Sequence, residues 1–342
     1  MAEAPSTASL LPLLVFHHQP QPGHDDEMLM FSVPKQSLHE RLMEHDHLAG
    51  GNNMSWTTPQ GWMLIITKSS SLSSAAFLWN PLTGDKLPLP NISKEHDIPQ
   101  QCKCLLSHKD PTHPACVVVL FHRTEPDMWC CRVAAGASYG GWRRYTYDIG
   151  DYELPESYRD PPTPRVIFGV AARQGKIYFT DTKETMGVID FTSDDDPDFS
   201  YFDVAMVDYP EGMNSGINSL VESQEDLFLV YVCFVGFDAT NIGAIRAYKM
   251  EFSAEQQQAC WRRVHDIGDF VFLLENCNMG ASRAAAPSGL KANRIYFMNN
   301  FIKDDASLCI FDLETGARDI AQVHQHQDMH IIRKPFWIVP PS

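Results

Sequence analysis

Apolar residues along this 342-residue chain recur in short runs, separated by clusters of Gly, Pro, Asn, Asp and Ser, which is the punctuation of many short strands. No stretch shows the spacing of a long amphipathic helix; residues 253–259 (SAEQQQA) could supply a turn or two at most. The longest apolar run, residues 227–236 (LFLVYVCFVG), suits a strand buried on both faces and is too short to span a bilayer. Residues 77–90 (FLWNPLTGDKLPLP) set the recurring shape: an apolar strand, a tight turn and a second strand closing on prolines. Pro81 presets φ, Asn80 can bond to the backbone just ahead of it, and Gly84 accepts a positive φ. Residues 310–316 (IFDLETG) repeat the turn with Asp312 for Asn80, and residues 188–194 (VIDFTSD) keep Asp190 but end on Asp194 where a Gly would sit.

Two unrelated strings fix a period. Trp142-Arg143-Arg144 followed by Asp148-Ile149-Gly150-Asp151 returns as Trp261-Arg262-Arg263 followed by Asp266-Ile267-Gly268-Asp269, and from Asp148 to Asp266 the offset is 118 residues. The strand GKIYF around Ile177 returns as NRIYF around Ile295 at the same offset. Each period holds about eight apolar runs, so the unit is about 59 residues and four strands, the size of a generous propeller blade.

Strands group accordingly. One group ends in residues 77–90 after a strand at 62–67. The next holds 102–107, 115–122, 129–134 and 142–149, and a third holds 166–172, 176–181, 187–192 and 199–206. A fourth holds 217–222, 227–234, 244–252 and 261–267, and a fifth 270–274, 294–299, 308–313 and 318–323. The ends remain: 10–16 and 28–33 at the N-terminus and 331–339 at the C-terminus. Combined into one composite blade they remove an exposed sheet edge. The pattern therefore predicts an all-β chain, a single β-propeller of six four-stranded blades closed by strands from both termini. Five or seven blades remain compatible with the period arithmetic. Residues 1–9 are expected to be disordered and 10–342 to form the one domain.

A net charge of −16, with 27 basic residues facing 43 acidic ones, argues against a binder of nucleic-acid backbone, which needs clustered Lys and Arg. The first cation is Lys35, so the N-terminus fits neither a secretory signal nor an organelle presequence, and no membrane segment is expected. Nine cysteines scattered through strand-like runs suit a reducing compartment, where the sequons at Asn53 and Asn91 carry no weight. The expected location is cytoplasmic or nuclear.

Candidate chemistry is sparse. Gly136-Ala137-Ser138-Tyr139-Gly140 matches a nucleophile-elbow pattern, but a β-like strand follows where that motif needs a helix, so it reads as a hairpin loop. Cys102, Cys104, His108, His113 and Cys116 form a dense cluster. Its C-x-C lies inside an apolar strand rather than on a zinc knuckle, which favours core cysteines. His324, His326 and His330 could meet His17 and His18 in the closing blade, but read as exposed loop histidines. His265-Asp266 resembles a general-base pair, yet the first copy has Tyr147-Asp148, which favours a structural role. Trp142 and Trp261 read as blade packing. Arg143-Arg144 and Arg262-Arg263 place one Arg on each strand face, one of each pair answering an Asp of its own repeat rather than a phosphate. No catalytic, cofactor-binding or metal-binding residue is assigned.

The order WMLII, FLWNPLTGDKLPLP, the paired WRR strands, KIYF with VIDF, RIYF with IFDLETG, and the ending FWIVPPS resembles the plant KIB-type β-propeller family, over roughly residues 10–342. In that land-plant group many members carry an N-terminal F-box; the NPLTG-x-x-x-x-LP motif is shared with kelch-like F-box proteins, but the whole order is not. The resemblance implies a non-enzymatic interaction module, which in F-box members presents substrates to a Skp1-cullin ubiquitin ligase. Here LLPLLVF is followed almost at once by the strand-like EMLMFSV, leaving no room for an F-box, so direct Skp1 binding is not expected. A propeller enzyme, hydrolase or lyase, with a central-channel site is the alternative, and a decayed paralogue a third. The inner strands GVAAR and INSLVES, small and apolar, offer no converging carboxylates or histidines, which favours binding.

Overall fold

The computed structural model describes residues 9–19, 27–39, 53–67, 73–134, 141–153, 161–193, 196–205, 207, 210–253, 258–275, 278–298, 307–323 and 330–341. Both full copies of the recurring turn are built alike. Asn80 Oδ1 accepts from the N–H groups of Leu82 (2.9 Å) and Thr83 (3.3 Å), and Gly84, at φ 80°, donates to the Asn80 carbonyl (2.9 Å). Asp312 Oδ1 accepts from Glu314 (2.9 Å) and Thr315 (3.1 Å), and Gly316, at φ 72°, donates to the Asp312 carbonyl (2.9 Å). A side chain at such a φ would be strained, which is why glycine closes both turns. In the third copy Asp190 accepts from Thr192 at 2.9 Å, and residue 194 lies outside the described residues.

The first strands are β1 (Leu13–Gln19), β2 (Glu27–Ser32) and β3 (Ser37–His39), then β4 (Asn53–Thr57), β5 (Met63–Thr67), β6 (Ser73–Trp79) and β7 (Lys86–Ser93). Next come β8 (Cys102–Leu106), β9 (Val117–His122), β10 (Asp127–Arg132) and β11 (Arg143–Thr146). They are followed by β12 (Val170–Arg173), β13 (Lys176–Thr180), β14 (Thr185–Asp190) and β15 (Asp198–Ala205). The chain continues through β16 (Ser215–Ser223), β17 (Asp226–Phe234), β18 (Ile242–Ser253) and β19 (Gln258–Val264). It ends with β20 (Phe270–Leu274), β21 (Met279–Ala284), β22 (Arg294–Met298), β23 (Ser307–Asp312), β24 (Arg318–Gln322) and β25 (His330–Ile338). Among the described residues no helix is long and apolar enough to cross a membrane.

Three separate four-stranded sheets run β25-β1-β2-β3, β4-β5-β6-β7 and β11-β10-β9-β8, and a thirteen-stranded sheet holds the rest. Within that sheet the groups β12–β15, β16–β19 and β20–β24 meet only through short parallel contacts, Val204 beside Ala259 and Leu220 beside Met279. The two ends of the chain share one sheet: β1 pairs antiparallel with β25, Leu13 opposite Ile338 and Val15 opposite Phe336. Pro88 and Pro90 sit in β7, an outer strand, where a missing N–H breaks no ladder.

Alternation along the strands sends one apolar set to each neighbouring sheet. The β4–β7 and β8–β11 groups enclose Leu64, Leu78, Cys104, Val118 and Trp129; β8–β11 and β12–β15 enclose Val119, Phe121, Ile177 and Phe179. The sequence of shared cores continues through Met186 with Leu229, and through Val230 with Phe297. It closes with Leu14, Phe16 and Trp337 against Leu273 and Leu308, and Val15 and Ile338 against Ile65 and Trp79. Indole N–H groups bridge groups as well: Trp56 donates to Gln100 (3.0 Å), Trp142 to Pro90 (2.9 Å) and Trp337 to Leu274 (2.9 Å).

Three expectations are corrected. The last group has five strands, not four, because residues 279–284 form β21 on the inner side, and β20 lies between β21 and β22, parallel to β22. Its sequence, MGASRA, is too small and mixed to show alternation. The strand expected at 166–172 is shorter, β12 at Val170–Arg173, and the one expected at 261–267 begins earlier, at Gln258. The short strands β3 and β4 were not legible from their polar residues.

Acids of the repeat answer cations across the ladder. Arg144 Nη2 lies 2.6 Å from Asp127, Lys176 2.8 Å from Asp190 and Arg294 2.7 Å from Asp312. Burial opposes the charged form of each acid. Hydrogen bonds outweigh it, from Arg144 and Thr146 to Asp127, from Lys176 and Thr192 to Asp190, and from Thr315 to Asp312, aided there by the charge of Arg294; all three pKa values fall. Lowered carboxylate values give stability that is present above the unfolded Asp value near 3.9 and is lost as pH falls through the folded values. The urea midpoint is therefore expected to drop between about pH 5 and pH 3, and to drop less in Asp127→Asn.

Candidate functional site

The inner strands finish at one place. A cavity of about 400 Å³ is lined by Pro59 and Gln60 from the β4–β5 turn, Lys109 from the β8–β9 loop, and Ala171 and Ala172 of β12. Glu222 and Ser223 at the end of β16, Ser282, Arg283 and Ala284 at the end of β21, and Pro340 beyond β25 complete the mouth. The sequence folds this way because a narrow channel admits only small side chains on inner strands, so Ala and Gly line its wall and longer polar chains appear at the strand ends.

Arg283 is 5% exposed, and its guanidinium donates to three backbone carbonyls: Pro340, Ser282 and Pro59, the last at 2.8 Å. One side chain thus ties β21 to the β4–β5 turn and to the segment after β25. Burial, opposed by the charge of Glu222, pushes its pKa down to about 9. Lys109 Nζ lies 2.9 Å from Glu222 Oε1, which also accepts from the Glu225 N–H at 2.6 Å, and the Ser223 and Ser282 hydroxyls are 2.7 Å apart. Arg283→Met, similar in length but without donors, leaves three carbonyls unsatisfied and is expected to cost about 3 kcal/mol, read as the shift in urea midpoint.

A second cavity, about 350 Å³, lies at the starting ends of β16 and β21, lined by Tyr152, Arg165, Phe168, Asp181, Tyr231 and Trp261 among others. There Arg165 is paired with Asp181 at 3.0 Å and donates to the Ile149 carbonyl.

The residues singled out in the sequence are placed as follows. His108 and His113 stack with ring centroids 4.0 Å apart, and burial, then His113, lowers the His108 pKa. Cys102, Cys104 and Cys116 turn instead into the core between the β4–β7 and β8–β11 groups, so the cluster does not assemble. Burial raises their thiols, Cys102 to about 12, Cys116 to about 11 and Cys104 well above the ordinary range. Of the described cysteines Cys260 alone is not fully buried. Iodoacetamide at pH 8 is expected to label it at least about tenfold faster than the others by peptide mass spectrometry.

Asp148 and Asp266 each accept from the glycine two residues on, Gly150 and Gly268, at 2.8 Å, so both are turn residues. Tyr147 accepts from the Ile167 N–H at 3.0 Å in the core, whereas His265 is exposed. Arg144 answers Asp127, as expected, whereas in the second pair Arg262 answers Glu251 at 2.6 Å in place of the expected Asp. Trp142 is buried, and Trp261 packs half-buried against the core shared by the β12–β15 and β16–β19 groups. His17 is buried against Phe336, ring centroids 5.8 Å apart, and Gln19 stands opposite His330. Ser138, His324 and His326 lie outside the described residues. Arg283, Lys109 and Glu222 were not singled out; no local motif joins them.

Solved structures resembling the chain include a candidate 6-phosphogluconolactonase from Bacteroides uniformis, 12% identical, covering 92% of this chain and 84% of that one, TM-score 0.44. Others are the periplasmic gluconolactonase PpgL of Pseudomonas aeruginosa (12% identical, 95% and 99% covered, TM-score 0.39) and the β-propeller domain of Myceliophteria thermophila Cps50 (Swd1) (11%, 91% and 81%, TM-score 0.39). No activity is transferred from likenesses this distant. No curated protein matches the sequence. A family model described as KIB1-4 beta-propeller matches residues 30–318, and on that match, which takes in every strand from β3 to β23, the chain belongs to the KIB1-4 beta-propeller family.

Proposed function

We propose that the chain is a six-bladed, non-enzymatic protein-interaction module, similar to the substrate-recognition propeller of plant F-box proteins, in the cytoplasm or nucleus. The observation that carries this reading is a set of exposed apolar side chains on one face: Phe237 is 82% exposed, Phe168 45% and Val235 43%. Phe168 stands just before β12, and Val235 and Phe237 follow β17, whose Phe234 faces Ser215 at the start of β16. Since β15 and β19 are parallel, and each is antiparallel to the first strand of its group, these residues share the end where inner strands begin. Exposed aromatics of this kind act as anchors in protein contacts. At the opposite mouth the ionisable groups are engaged in structural contacts, Lys109 with Glu222 and Arg283 with carbonyls.

The test is affinity purification of the tagged chain from an extract of the tissue that expresses it, beside a Phe168→Asp, Phe237→Asp double variant with matched thermal unfolding. One reproducible partner is expected with the parent, bound at least about 30-fold more weakly by the variant. Recovery of Skp1 and a cullin with that partner would join the module to a ubiquitin ligase. Equal recovery by both chains would contradict the assignment of the face.

A further inference from the structure

We propose that the cavity at the finishing ends of the inner strands binds a small organic acid, its carboxylate held between Arg283 and Lys109 and its apolar body against Ala171, Ala281, Phe270 and Pro341. The site lies at the opposite end from Phe237 and does not depend on the partner reading.

Three observations carry it. The cavity, about 400 Å³, falls within the size of ordinary small-ligand sites, which are mostly apolar with a few convergent polar groups. Its charged lining consists of Lys109, Arg283 and Glu222, two cations against one carboxylate, in a protein whose net charge is −16. A buried cation is ordinarily answered by an anion. Here the hydrogen bonds of Arg283 go to neutral carbonyls, while Glu222 is engaged by Lys109 at 2.9 Å. The surplus is one positive charge, which a monoanion neutralises. Three of the five N–H groups of Arg283 go to those carbonyls, which leaves two for a carboxylate, and Lys109, on a loop and partly exposed, can turn between Glu222 and a ligand. The rest of the wall is uncharged, alanines, prolines and Phe270 together with Gln and Ser side chains, and its apolar part favours an acid with a compact apolar body over a bare inorganic anion.

The probes are benzoate and hexanoate, with benzamide as the neutral isostere of benzoate and inorganic phosphate as the anion without an apolar body, titrated into the full chain and followed by protein NMR shifts. Both carboxylates are expected to saturate with a Kd of about 1 mM or tighter, and benzamide and phosphate to bind at least about tenfold more weakly. Lys109→Met, a change at a partly exposed side chain, is expected to weaken benzoate about tenfold. Ala284→Phe fills the cavity and is expected to abolish binding; both variants are checked for unchanged thermal unfolding, which keeps the test independent of whether Arg283 variants fold. No saturation by either carboxylate up to about 20 mM overturns the proposal. So does benzamide or phosphate binding as tightly as benzoate, or benzoate binding unchanged in Lys109→Met.

Discussion

Deletion of residues 331–342 is expected to remove the cooperative folding transition altogether. The deletion takes out nearly all of β25, and with it Trp337, Ile338 and Val339, all at most 3% exposed. Two of the shared cores lose members: Leu14, Phe16 and Leu273 lose Trp337, and Val15, Ile65 and Trp79 lose Ile338. The indole bond to the Leu274 carbonyl and one acceptor of Arg283 go with them. β1 becomes an open sheet edge, ready to pair with other chains. Large buried side chains cost about 2–5 kcal/mol each when truncated. Three of them together reach about 10 kcal/mol, the order of a whole domain's stability. The checks are thermal unfolding by circular dichroism and the elution volume of the shortened chain: loss of the transition with aggregation is expected. A shortened chain melting within a few degrees of the parent would show that β25 is dispensable.

Gly61→Val is the second large effect, and it acts through a single added group. Gly61 lies in the β4–β5 turn at φ 88°, and a Cβ built there would stand 2.5 Å from the Pro340 carbonyl oxygen and 2.7 Å from the Pro341 Cα. Backbone on both sides leaves nothing flexible to yield. A β-branched residue in the left-handed region costs about 1–3 kcal/mol, and forced overpacking about as much again, so a loss of about 4 kcal/mol is expected. Urea unfolding at neutral pH measures it. The same clash pushes Pro340 away from Arg283, so the variant is expected to weaken the link between the two ends of the chain as well. A loss below about 1 kcal/mol would mean that the segment after β25 does not lie against this turn.

What could be read from the sequence follows from where local chemistry is sufficient. The turn at Asn80 and Gly84 was legible because each of its residues has its own backbone reason, and its second copy at Asp312 and Gly316 shares the same bonds. The 118-residue offset was legible because Asp148 and Asp266, and Ile177 and Ile295, hold equivalent places. The sharing of a sheet by both termini was anticipated from the need to leave no edge. The strand β21 was missed because MGASRA, facing the narrow channel, has small residues in place of alternating large ones, and Gly280 has no room for a side chain beside Val221 and Leu274. β20 was recognised, but its parallel place between β21 and β22 depends on long-range pairing that no local pattern encodes.

The channel mouth was the least legible part. Lys109, Glu222 and Arg283 are spread over three loops and strands, and only the ring brings them together. The segment INSLVES read as small and apolar, yet its Glu222 faces the mouth and holds Lys109. The cysteine and histidine cluster showed the opposite error of scale: Cys102, Cys104, His108, His113 and Cys116 are near in sequence, but strand geometry sends the thiols to the core and leaves the imidazoles in the loop.

The pairing of β1 with β25, on which the closed ring and both of its faces depend, is tested most directly by native-state amide hydrogen exchange. Peptides covering residues 13–19 and 330–338 are expected to exchange as slowly as those of β8, β9 and β10, since all lie within paired ladders. Exchange of both terminal segments at the rate of exposed loops, with β8 to β10 protected, would contradict the closed ring.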